Sequence, residues 1–185
     1  MAKYVGIDPG SSVIGWALFE DETILRVGVI KLPAKTKEWK LRSKKKKSEK
    51  IGWHLKTGRL GACRTEIEKL FLGFPDPIDK VIIEDSTAAL GGKSLWTTLV
   101  ASYYFSIIVD TIQHMGFDCF FQSPRITRKT FGLKQNCKKN ILINRLKEQF
   151  QVDVFFKLKI NKLKEDAWDA IGLVKAYLKN LKEEE

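Results

Sequence analysis

Residues 13–19 are apolar at every position, with small Gly15 and Ala17 set between large neighbours. A strand of this kind has no face for solvent, so it must lie within a sheet covered on both sides. Helices above and below are then required. The flanking sequence supplies more strands. Tyr4-Val5-Gly6-Ile7 is a short apolar run that ends in the turn sequence Asp8-Pro9-Gly10-Ser11-Ser12. Glu20-Asp21-Glu22 makes a polar turn, and residues 23–32 read as a third strand. The first three strands form an antiparallel meander.

The pattern then changes. Residues 33–50 are lysine-rich with little periodicity and read as a loop or insertion. Leu60, Ile67, Leu70 and Phe71 predict an amphipathic helix over about 53–72, which Phe74-Pro75-Asp76-Pro77 ends. Val81-Ile82-Ile83 is a buried strand closing on Glu84-Asp85. After Gly91-Gly92, Ser94 is a candidate N-cap for a helix over 95–115. Its expected inner face carries Leu95, Leu99, Tyr103, Ile107 and Ile108. A strand at 117–121, short helical pieces from Pro124, a helix at 137–150 and a last helix at 163–181 follow. Ala167, Ala170, Ile171, Val174, Leu178 and Leu181 share one face of that last helix. The order β-β-β-α-β-α-β-α-α is an α/β layered domain with a mixed five-stranded sheet. At 185 residues one domain is expected over 1–182, with 183–185 an acidic tail.

Charge narrows the function. The net charge of +11 is unevenly placed. Residues 31–64 hold 13 Lys or Arg against Glu38 and Glu49, and residues 125–147 hold eight basic residues and no acid. The remainder has 12 basic and 20 acidic residues. Two basic islands on an acidic body are the footprint of a polyanion binder. A lysine run such as Lys44-Lys45-Lys46-Lys47 is as often a solvated loop, so the second island strengthens the reading. With 44% hydrophobic and 30% charged residues the chain reads as globular. No apolar run reaches the ~18 residues of a membrane span. The start lacks a signal-peptide pattern, and Cys63, Cys119 and Cys137 form no paired motif. An intracellular, cytoplasmic setting is expected.

The acids are informative by position. Asp8 ends the first strand, Glu84 ends the fourth, and Asp166 and Asp169 lie three residues apart near the start of the last helix. Strand ends in an open α/β sheet are where sites gather. Taken singly, Asp8 could be a turn residue, and Asp166 and Asp169 could complement a helix dipole. Together they suggest four converging carboxylates, whose repulsion a divalent cation relieves. Two such ions can clamp the attacking and leaving oxygens of a phosphodiester.

Three segments carry a family resemblance. Residues 6–17, from Gly6-Ile7-Asp8-Pro9-Gly10 to Gly15-Trp16-Ala17, resemble the opening motif of RuvC-type Holliday junction resolvases. Val81-Ile82-Ile83-Glu84-Asp85 resembles their second acidic strand, and Glu165-Asp166-Ala167-Trp168-Asp169-Ala170-Ile171 resembles their final aspartate pair. The motifs stand in the family's order across essentially the whole chain. The resemblance implies a ribonuclease H-like fold and Mg²⁺-dependent cleavage of four-way DNA junctions by a homodimer, with Mn²⁺ able to substitute. Asp8, Glu84, Asp166 and Asp169 would hold two ions, Asp8 between them, and in-line attack by water would leave 5′-phosphate ends. Lys138 best matches a family lysine, with Lys139 a near alternative, and Arg128 and Lys129 lie where another basic contact is found. The residues expected on DNA are Lys44, Lys45, Lys46, Lys47, Arg125, Arg128, Lys129, Lys134, Lys138 and Lys139.

There are departures. The family often has an aromatic wedge shortly after the second acid. Ser86-Thr87-Ala88 offers none, leaving Phe131 or Trp96 to supply it, although Trp96 sits at helical spacing and reads as core or dimer interface. The long lysine-rich stretch points to a divergent, viral or plasmid-borne relative. Gly92-Lys93-Ser94 lacks the earlier glycine of a P-loop. His54 and His114 have no metal spacing, and Cys63 and Cys137, in basic surroundings, have no paired base. Three other readings stand beside the resolvase. They are a nuclease of the same fold acting on flaps, forks or RNA hybrids, a non-catalytic nucleic-acid-binding module, and an actin-like ATPase, for which the chain is too short.

Overall fold

A computed structural model of the chain describes residues 1–33, 58–74, 77–85, 95–149 and 165–184. The strands are β1 (Lys3–Asp8), β2 (Val13–Glu20), β3 (Thr23–Lys31), β4 (Lys80–Glu84) and β5 (Cys119–Gln122). The helices are α1 (Arg59–Leu72), α2 (Leu95–His114), α3 (Pro124–Thr130), α4 (Lys139–Gln149) and α5 (Glu165–Glu184). The five strands form one sheet in the order β3-β2-β1-β4-β5. The meander pairs antiparallel, and β4 and β5 add to it parallel to β1.

Two apolar layers follow from the alternation of the strands. Val5, Ile7, Ile14, Leu18, Val81 and Ile83 face α1 and α2, meeting Cys63, Ile67, Phe71, Tyr104, Ile108 and Ile112. Ala17, Phe19 and Ile82 face α5, with Ala170, Ile171 and Val174. The strand at 13–19 thus lies inside the sheet, between β3 and β1, and is covered on both faces. Contact with α5 is closest where the strands carry no side chain. A Cβ on Gly6 would stand 2.3 Å from the Ala170 carbonyl oxygen, and one on Gly15 1.9 Å from that of Asp166. These two glycines let a helix backbone rest on the sheet.

The chain reaches α4 through well-defined stops. Ser123 caps α3 by accepting from the Ile126 amide at 3.3 Å, with Pro124 opening the helix. Gly132, at φ 70°, then reverses the chain. Its amide donates to the Lys129 carbonyl and the Leu133 amide to that of Arg128, a Schellman arrangement.

The expected inner face of α2 needs correction. The buried face of α2 is Tyr104, Ile108, Thr111 and Ile112, whereas Tyr103 is 41% exposed. The helix is apolar nearly all round, so its sequence does not set its phase. Cys63 is fully buried, and burial pushes its thiol up to about 12 against the pull of Arg59. Helix α5 runs through Glu184, into the acidic residues at 183–185. The expected helix start at 53–57 lies outside the described residues. Among those described, no helix is long and apolar enough to cross a membrane.

Candidate active site

Asp8 and Glu84 end neighbouring parallel strands. Ile7 pairs with Ile83, so the next step of the register sets Asp8 beside Glu84. Val5 and Ile7 point toward α1 and α2, so by alternation Asp8 points to the α5 side, and Glu84 follows Ile82 there. On its other flank Asp8 pairs with Gly15. That is the residue against which the Asp166 backbone rests. One glycine therefore brings the start of α5 onto the strand end that carries Asp8. Asp169 follows Asp166 by three residues on the same side of the helix.

Burial and neighbouring charge act on these acids. Asp8 is 8% exposed. Burial first, then repulsion by Glu84, Asp169 and Asp166, holds its carboxyl well above the usual carboxylate range, against the opposing pull of Lys139. Asp169 is also buried. Its carboxyl is raised, first by burial and further by Asp166, while Lys139 and Arg128 pull it down.

Lys139 is the cation of the cluster. Its Nζ donates to Asp169 Oδ2. Burial alone would lower its pKa, but Asp169, Asp8 and Glu84 together raise it. It opens α4, where a cation opposes the helix dipole, so the carboxylates and not the helix favour it there. By sequence Lys138 is the better match to the family lysine, ahead of Lys139. In the structure Lys139 reaches the acids, while the Lys138 carbonyl accepts from the Ile141 amide.

The remaining basic residues divide. Arg128 is near enough to act on Asp169, and its Nη1 donates to the Gln135 carbonyl at 3.2 Å. Arg125, Lys129 and Lys134 are exposed on the same α3–α4 stretch. Lys44, Lys45, Lys46 and Lys47 lie outside the described residues, as does the side chain of Trp96. Phe131 is 7% exposed and packs into the α5 core with Leu142 and Leu146, so it is not presented as a wedge.

Among the described residues, no three His, Cys, Asp or Glu side chains lie close enough as they stand to cage an ion. The donor set nevertheless suits a hard divalent cation. It consists of carboxylate oxygens whose mutual repulsion, at Asp8, exceeds what Lys139 offsets.

Architecture and register together have a counterpart among solved structures. RuvC of Thermus thermophilus in complex with a Holliday junction substrate superposes with a TM-score of 0.67, covering 99% of this chain and 96% of that chain. The fold is that of RuvC. A second Thermus thermophilus RuvC structure gives a TM-score of 0.64, with 98% and 96% covered. Sequence identity to the RuvC chains is only 11% and 12%, so the likeness is one of fold. No family model and no curated protein matches the sequence.

Proposed function

We propose that the chain is a metal-dependent DNA endonuclease that resolves four-way junctions by paired, symmetric nicks. One observation carries this reading. Within a RuvC-like fold, the ends of β1 and β4 and the start of α5 carry Asp8, Glu84, Asp166 and Asp169 toward one end of the sheet, where Lys139 donates to Asp169. Those four carboxylates would hold Mg²⁺ or Mn²⁺. Bound there, the metal would supply Lewis acidity toward the phosphate and a lowered pKa for the attacking water. Lys139 neutralises part of the cluster and steadies Asp169. Arg125, Arg128, Lys129, Lys134 and Lys138 would meet the DNA backbone, which the carboxylates alone would repel. The branched substrate is the chemistry of the RuvC complex that the fold matches. Paired nicks call for two copies of the chain.

The test is cleavage of a synthetic four-way junction with nick mapping, beside flap, fork and RNA–DNA hybrid substrates. Symmetric nicks with 5′-phosphate ends are expected on the junction. Preference for a flap, fork or hybrid would keep the nuclease and overturn the resolvase. No cutting with either metal would overturn both and leave a binding module. Sedimentation should give a dimer, and a strict monomer would contradict paired incision.

A further inference from the structure

Arg59 is poorly suited to its place on local grounds. It opens α1 after Gly58, whose φ of 66° caps the helix without a side-chain bond. A cation in a first helical turn opposes the dipole. Arg59 is also only 3% exposed. Among the described residues its buried Nε and Nη1 have no hydrogen-bond partner, and no carboxylate is paired with it. Burying a guanidinium with unmade bonds costs stability. In the sequence Arg59 is one of the 13 basic residues of the 31–64 stretch, with nothing to set it apart.

What Arg59 accomplishes is a tie between three elements. Its Nη2 donates to the Ser11 carbonyl at 2.9 Å, and its guanidinium lies 5.8 Å from the centroid of the Tyr104 ring on α2. Ser11 belongs to the turn between β1 and β2, three residues beyond Asp8. That turn is tight. A Cβ on Gly10 would stand 2.1 Å from the Val13 carbonyl oxygen. From the β3 side, the Leu32 amide donates to the Ser12 carbonyl at 3.0 Å. The turn is therefore held on one side by Leu32 and on the other by Arg59. Tilting it would move the end of β1, and with it Asp8, relative to Glu84.

We propose that Arg59 is a positioning residue that clamps the Asp8 turn to the helical layer on the far side of the sheet. The inference deepens the nuclease reading and rests on it for its catalytic consequence. Its cost in stability is the kind retained where function needs it.

Arg59→Met and Arg59→Lys test it by three readouts: thermal midpoint, backbone order parameters at Ser11 and Ser12, and single-turnover cleavage with junction affinity measured separately. Arg59→Met should melt no lower than wild type. Its Ser11 and Ser12 order parameters should fall from about 0.85 toward 0.6. Its cleavage rate should drop roughly a hundredfold with junction affinity unchanged, the expected effect of a small misplacement. Arg59→Lys should recover part of both losses. Wild-type order parameters in Arg59→Met would overturn the clamp, and a wild-type cleavage rate would overturn its role in positioning Asp8. If the wild-type protein cuts no substrate, the nuclease reading fails by itself, and the order parameters still decide whether the clamp exists.

Discussion

Protonation of Asp8 and Asp169 is linked to the stability of the fold. Burial and neighbouring acids raise the Asp8 carboxyl above its ordinary value. Between the two values the folded protein keeps a proton that the unfolded chain has released, so metal-free stability falls as pH rises from the ordinary carboxylate range toward the folded value. Asp169 acts in the same direction. Asp8→Asn should therefore raise metal-free stability at neutral pH by about 1–2 kcal/mol, as relief of a functional site does, and flatten that limb. Thermal unfolding in chelator across a pH series reads both, and a destabilised Asp8→Asn protein would contradict the repulsion. Lys139→Met should act oppositely at Asp169, costing about 1 kcal/mol once solvent screening of the half-exposed lysine is allowed for. Lys138→Met should leave stability unchanged. The acids were legible as candidates because each closes a strand or opens a helix. The choice between adjacent lysines was not, since it turns on where α4 begins.

At the scale of elements, the close approach of α5 to β1 and β2 is what gathers the acids. Gly15→Ala would place a Cβ on the Asp166 carbonyl. It should cost about 1–3 kcal/mol, as overpacking does, and should displace Asp166 and Asp169 enough to abolish cleavage. Wild-type stability and cleavage in this variant would show that the contact does not position α5. Sequence showed Gly15 as small among large neighbours, the mark of a close approach, but not what approached. β2 and β4 were readable because runs apolar on both faces fit only the inside of a covered sheet. The face of α2 was not, because Leu99, Tyr103, Tyr104, Ile107 and Ile108 make several stripes equally apolar and only packing against Ile67 and Phe71 selects among them.

Over the whole molecule, charge divides by task. The island at 125–147 flanks the carboxylates through α3 and α4, while most of that at 31–64 lies outside the described residues. Both were plain in the sequence, but only the fold relates one of them to the acids, through Lys139 and Arg128. Replacing Lys44, Lys45, Lys46 and Lys47 together by Ala should weaken junction binding, lower the slope of log affinity against log salt by up to about 4, and leave nick positions unchanged. An unchanged slope would mean that these lysines stay in solvent. The central claim is that the four acids form a metal-dependent cutting site for branched DNA. Mapped cleavage of a four-way junction by wild-type and Asp8→Asn proteins in Mg²⁺ tests it most directly. Paired symmetric nicks by the wild type, and undiminished binding without nicks by Asp8→Asn, are the predicted result. Equal cutting by the two proteins, or none by the wild type in Mg²⁺ or Mn²⁺, would contradict it.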